Sequence, residues 1–198
     1  ATLTAHYSFN DGTGKNHVGP IDAVLVGSGY ASIEDRFENP GHAMHLNGDL
    51  GTYINLGSDN SVKPTTGTIS MWVCIDEVST AGNGFAYNPI ILAKNPNSPG
   101  SFMEAYCMYF TMVGNRMVAV TTGTSPTNEK YIFSANNTIA LEQWHHIALT
   151  FDDNNLTIYI NGQSAGTTTK GFTTTYSNEN VVVGNSVNSL NNRTMIGA

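Results

Sequence analysis

Charge is what this chain has least of. Only 12% of its residues are Asp, Glu, Lys or Arg, about half the usual share. Eight scattered basic residues stand against fifteen acidic ones, for a net charge of −7. So few dispersed cations cannot neutralise a run of phosphates, which excludes nucleic acid as a partner class. The same deficit argues against long exposed helices, which rely on Glu, Lys and Arg. Long apolar runs are missing too: none approaches the roughly 18 residues of a membrane-spanning helix, so no membrane insertion is expected. Cysteine is nearly absent. Cys74 and Cys107 are too few for a disulfide framework and fit no zinc spacing, and each lies in an apolar run that suits a buried thiol. The first residues carry no basic-then-apolar targeting segment. Ala1 fits removal of either an initiator Met or a signal peptide.

Polarity comes instead from 23 Asn, 23 Thr and 15 Ser, a composition that favours strands joined by Asn/Gly/Thr turns. With 40% hydrophobic residues the chain can fill a core, and its length suits one domain over residues 1–198. Residues 3–9 alternate with period two, presenting Leu3, Ala5, Tyr7 and Phe9 on one face, and break at Asn10-Asp11-Gly12. Further runs predict strands at 43–46, 53–56, 68–75, 89–94, 104–113, 116–121, 130–134, 144–151, 156–160 and 181–183. Asn47-Gly48 and Asn161-Gly162 accept the positive φ of tight turns. Gly114-Asn115 and Asp152-Asp153-Asn154-Asn155 each join two apolar runs as hairpin loops would. Residues 79–88 and 95–101 read as long loops. Many short strands, no amphipathic helix and no strand–helix–strand alternation predict an all-β antiparallel sandwich, less than about a tenth helical. Alternation puts Ile147, Leu149, Phe151, Ile158 and Ile160 on inward faces.

Several segments together are similar to one known family. Tyr7-Ser8-Phe9-Asn10-Asp11-Gly12 looks like its opening strand, and Thr68-Ile69-Ser70-Met71-Trp72-Val73 like a later one. Gln143-Trp144-His145-His146-Ile147-Ala148-Leu149-Thr150-Phe151-Asp152, followed by Leu156-Thr157-Ile158-Tyr159-Ile160-Asn161-Gly162, resembles its hairpin almost residue for residue. Ala43–Gly48 with Tyr53–Leu56, and Val183-Gly184-Asn185, match in the same order. The chain thus resembles the laminin-G-like branch of the concanavalin A-like jelly rolls, the lectin/glucanase superfamily. That resemblance implies an antiparallel jelly-roll β-sandwich, with Trp72 and Trp144 on central strands and Trp72 in the core. Relatives often bind calcium where the first loop meets a closing strand, which would make Asn10, Asp11 and Asp22 its ligands here. Members usually place a closing strand after the one matched by Val183-Gly184-Asn185, and this sequence reaches Gly197-Ala198 without it. The edge beside residues Leu3 to Phe9 is therefore expected to be filled by further chain, by residues 187–196 folding back, or by a neighbouring subunit in a homo- or hetero-assembly.

The chemistry-bearing residues narrow the function. Adjacent His145 and His146 point to opposite faces of a strand and cannot share an ion. His6, His42 and His45 lack metal spacing. The glucanases of this fold set carboxylates two apart on one strand face, consistent with the short separation retaining enzymes need. Here Glu34-Asp35 and Asp76-Glu77 are adjacent pairs instead, so catalysis is not expected. Tyr30, Phe85, Tyr87, Tyr131 and Tyr176 lie in or beside loops and are the candidate ligand contacts. Three Asn-x-Thr sequons (at Asn136, Asn155 and Asn192) are what chance gives with so many Asn and Thr. A non-catalytic recognition or adhesion module, binding glycans or protein partners at an extracellular or particle surface, is the leading expectation. A structural decoration or coat subunit of a particle or filament comes next, and a polysaccharide hydrolase last.

Overall fold

A computed structural model describes residues 1–49, 51–77, 90–94, 107–111, 116–121, 130–176, 178–185 and 195–198, with the backbone alone for 107–111 and 116–121. The strands, numbered in chain order, form two seven-stranded sheets. The first runs in space through β1 (Val24–Val26), β4 (Tyr53–Gly57), β13 (Val181–Val183), β6 (Ile90–Ala93), β7 (Cys107–Thr111), β8 (Arg116–Thr121) and β9 (Lys130–Phe133). The second runs through β12 (Gln163–Thr169), β11 (Asn155–Ile160), β10 (Trp144–Phe151), β5 (Gly67–Glu77), β14 (Ile196–Gly197), β3 (Ala43–Asn47) and β2 (Tyr30–Ile33). Neighbours pair antiparallel throughout, and chain-distant strands lie side by side, as in a jelly roll. A single 3-10 turn, Asn60–Val62, is the helical content among the described residues.

The β10–β11 hairpin shows how the sequence builds this architecture. Ile147, Leu149, Leu156 and Ile158 are completely buried, with Phe151 and Ile160 at 6% exposure. Each such side chain contributes about 1.5–3 kcal/mol on leaving water. Asp152 Oδ1 accepts the Asn154 and Asn155 amides at 2.7 and 2.6 Å and closes the turn. Buried Lys170 donates its ammonium to the Asp152 carbonyl at 2.9 Å, fastening the turn to the strand that follows. Asn161 and Gly162 adopt φ of 50° and 79°, the positive values a two-residue hairpin turn needs, and β12 pairs back along β11.

Three sequence expectations are corrected. Residues 3–9 form no ladder: Tyr7 makes one isolated bridge to Asn16, and the segment joins neither sheet. Its backbone is engaged by the loop that follows it. The His6 amide donates to Asn16 Oδ1, and the His6 carbonyl accepts from His17. Ala5, Tyr7 and Phe9 still pack on the core, while Leu3 is exposed. The expected edge beside this segment is thus not an edge of either sheet. Instead Ile196–Gly197 folds back between β3 and β5, where a Cβ on Gly197 would stand 2.0 Å from the Cys74 carbonyl oxygen. Trp72 is the third correction. It is 42% exposed, because parity along β5 turns its neighbours Val73 and Ile75 inward. The strands β1, β2, β12 and β14 were not anticipated. The expected loops at 79–88 and 95–101 lie outside the described residues, as does Gly114-Asn115, although the strands flanking that dipeptide do pair.

Candidate ligand-binding face

Alternate residues of the second sheet point away from the core. On β5 these are Thr68, Ser70, Trp72, Cys74 and Asp76. Strand register sets His146 opposite Trp72, Ala148 opposite both Ser70 and Tyr159, and Thr150 opposite both Thr68 and Thr157. Trp144 stands opposite Cys74, and the Thr157 and Thr167 hydroxyls lie 3.1 Å apart. The face therefore carries hydroxyls at one end, on Thr68, Thr150, Thr157 and Ser70, and rings towards the other, on Trp72, His146 and Trp144. Its acid, Asp76, is bonded to His45 Nε2 at 2.9 Å, a link from β5 to β3 across the intervening β14.

Trp72 is the centre of a compact cluster. The His146 ring lies 5.3 Å from it, tilted by 56°. The Arg36 guanidinium carbon lies 4.4 Å from the Trp72 ring centre and 4.2 Å from that of Phe37, both within cation–π range. Phe37 is 67% exposed. Arg36 and Phe37 reach this place from the β2–β3 loop, and Asp35 shapes that loop. Its Oδ1 accepts the Phe37 and Asn39 amides at 2.8 and 3.0 Å, and its carboxylate also accepts from the Asn39 side chain. Glu38 is held at φ 64°, a left-handed conformation that costs a non-glycine residue of order 1 kcal/mol. The turn is thus held in one shape, with two side chains projecting. A cavity of about 680 Å³ reaches this cluster: its lining includes Arg36, Trp72 and His146, and also residues 3–10 and inward-facing side chains such as Leu46, Ile54 and Val73.

Of the aromatic contacts expected from sequence, Tyr30 lies on the outer strand β2 of this sheet and is exposed. Tyr131 is exposed on β9, the last strand of the other sheet, with its ring stacked 6.4 Å from that of Phe133. Tyr176 packs against the core, where burial pushes its hydroxyl pKa up and the hydroxyl donates to the Pro64 carbonyl. It is a packing residue rather than a rim contact. Phe85 and Tyr87 lie outside the described residues. Tyr30, Tyr131 and Tyr176 therefore lie apart, on the second sheet, on the first sheet and against the core. Arg36, Phe37 and His146 were not singled out by sequence. The Glu34–Glu38 stretch was read for its carboxylates, although the Arg-Phe pair inside it was the available signal.

Asn10, Asp11 and Asp22, the calcium ligands expected from the resemblance, lie in the loop after residues 3–9, where both aspartates accept hydrogen bonds. Asp11 Oδ1 accepts the Thr13 hydroxyl at 2.6 Å and the Thr13 amide at 3.0 Å, which hold its carboxyl below the usual pKa. Asp22 Oδ1 accepts the Asn16 amide at 2.8 Å. An internally bonded Asx turn accounts for the loop.

Two of the acids near the face are hydrogen-bonded. Asp35 is engaged by its own loop and Asp76 by His45. Cys74 is half-buried, and burial, with Asp76 adding to it, pushes its thiol up to about 11, far from the range of a working nucleophile.

The sandwich has solved counterparts at low sequence identity. Domain 4 of AbnA, a GH43 extracellular arabinanase from Geobacillus stearothermophilus, described in complex with arabinotriose, matches with a TM-score of 0.69 and 22% identity, over 100% of this chain and 88% of that one. The binding domain of Paraclostridial Mosquitocidal Protein 1 matches at 0.71 and 15%, over 98% of this chain and 47% of that one. The CBM40 of the Ruminococcus gnavus IT-sialidase, bound to α2,3-sialyllactose, matches at 0.58 and 15%, over 77% and 83%. No curated protein is significantly similar in sequence. No helix among the described residues is long and apolar enough to cross a membrane. The laminin G-type family model of the concanavalin A-like lectin/glucanases superfamily matches residues 47–197, and the chain belongs to that superfamily.

Proposed function

We propose that this domain is a non-catalytic glycan-recognition module, and that it binds sugar on the outward face of the second sheet around Trp72. The observation that carries this is the placement of Trp72. A large aromatic ring, 42% exposed, stands on a central strand among hydroxyl side chains, where burial would be the default for a tryptophan. Sugars offer an apolar C–H face and a rim of hydroxyls, so they are recognised by a few rings for stacking and several neutral hydrogen-bonding groups nearby. Phe37, Trp72, Trp144 and Tyr159 supply the rings; Ser70, Thr68 and Thr150 supply the hydroxyls. The bound sugars of two structural relatives agree with this choice, though at their identities the likeness speaks for the fold alone. An extracellular or particle-surface location goes with it.

Absence of hydrolysis is part of the same proposal, since cleavage needs two free carboxyls held across a glycosidic bond. The test is calorimetric titration with a panel of oligosaccharides, followed by product analysis. Binding of at least one oligosaccharide without turnover is expected, weakened about tenfold or more by Trp72→Ala while the melting temperature stays close to that of the parent. Turnover, or binding indifferent to Trp72→Ala, overturns it.

A further inference from the structure

Among the described residues the Arg36 guanidinium has no carboxylate within ion-pair distance. Among the described residues the ion pairs are His42 with Asp35 and His45 with Asp76; neither includes the arginine. Its neighbouring carboxylate, Asp35, is turned into the loop and occupied by the Phe37 and Asn39 amides. Arg36 instead rests against two rings, Phe37 at 4.2 Å and Trp72 at 4.4 Å. Contacts of this kind hold a guanidinium by its faces and leave its edge N–H groups free. A planar fork held this way is pre-organised to take a carboxylate or a sulfate through two parallel hydrogen bonds. The chain carries eight basic residues and a net charge of −7, yet one of the eight sits in a strained, internally bonded turn beside two exposed aromatic rings, with no ion pair among the described residues.

We infer that Arg36, presented by Phe37 and Trp72, selects acidic sugars, and that the module's ligand carries a carboxylate or sulfate group one sugar-length from a ring that stacks on the aromatic cluster. This rests on the glycan reading above and adds the ligand class to it. Phe37 and Trp72 contribute the stacking, Arg36 contributes two charge-assisted hydrogen bonds, and Ser70 and His146 line the cavity beside them.

The experiment titrates the 198-residue chain with a neutral trisaccharide and with its carboxylated and sulfated counterparts, in low and high salt. Hydrogen bonds to a charged partner translate into a preference of about tenfold or more for an acidic form, shrinking as salt screens the exposed pair. Arg36→Gln should abolish the preference, so that neutral and acidic sugars bind the variant with similar affinity. Arg36→Lys should keep only a small part of it, because it retains charge without the fork. Preference for either anion, lost in Arg36→Gln, supports the inference, and the carboxylate and sulfate arms say which anion is meant. Equal binding of neutral and acidic forms, or a preference untouched by Arg36→Gln, overturns it and leaves glycan recognition standing. Failure of all three sugars to bind overturns both.

Discussion

Trp72 and Phe151 are both large aromatic residues on central strands of the same sheet, and their surroundings give them opposite work. Phe151 is 6% exposed inside the core cluster; Trp72 is 42% exposed beside Arg36. Phe151→Ala leaves a cavity that its neighbours fill only in part and is expected to cost about 3–5 kcal/mol. Trp72→Ala removes a ring already half in water and should cost about 1 kcal/mol or less. Urea unfolding of the two variants checks this, and equal losses would contradict the assigned register of β5. Period-two alternation was enough to place Phe151, Ile147 and Leu149, because β10 and β11 are apolar on one side only. It was not enough for Trp72. Parity put that side chain outside, whereas resemblance to relatives suggested the core, and parity prevailed. Arg36 and Phe37 were illegible for a different reason: a loop's shape depends on which backbone amides its Asp caps, and no periodicity reports that.

Elements were legible where side chains alternate and invisible where pairing is imposed from elsewhere. Strand β12 reads Gln-Ser-Ala-Gly-Thr-Thr-Thr, with no apolar face, and forms because the Asn161-Gly162 turn returns the chain along β11. Gly166 is required there, since a Cβ would meet Ile132 Cγ2 at 2.8 Å. Residues 3–9 are the converse: they alternate well, yet Asn16 takes their hydrogen bonds. Asn16 is 6% exposed and its Oδ1 accepts from the His6, Val18 and Gly19 amides, while its Nδ2 donates to the Ile21 carbonyl. Asn16→Ala leaves several of these unpaired and should cost about 2–3 kcal/mol. A loss below about 0.5 kcal/mol would mean that another group organises the N-terminal segment. Turn carboxylates add a pH dependence. The Asn155 and Asn154 amides hold the Asp152 carboxyl below its usual pKa, so the folded state binds that proton less readily than the unfolded chain does. Its stabilisation is complete above the unfolded value of about 3.9 and is lost as pH falls through the lower folded value. Asp152→Asn should therefore lower the melting temperature at pH 7, and the gap between variant and parent should narrow below about pH 4. A gap unchanged by acid would remove Asp152 from the closure of the β10–β11 turn.

At the scale of the whole molecule, a charge-poor chain rich in Thr, Ser and Asn folds as a sandwich whose two outer faces differ in what they offer. The second sheet carries rings and hydroxyls, with Arg36 resting against the Trp72 ring. The edge strand β9 of the first sheet carries the stacked pair Tyr131 and Phe133, an aromatic pair on the other sheet from Trp72. Class and architecture followed from composition and strand spacing, because low charge and abundant turn residues leave few other ways to bury a core. Which face binds did not follow, since it depends on contacts between segments more than thirty residues apart, such as Arg36 with Trp72. The most direct test is a two-dimensional amide and indole NMR titration of the 198-residue chain with an acidic oligosaccharide. Saturable shifts should gather at Arg36, Phe37, Trp72, His146 and their strand neighbours, with Tyr131 and Phe133 unmoved. Shifts confined to Tyr131 and Phe133, or none at any concentration of sugar, would contradict glycan recognition at the Trp72 face.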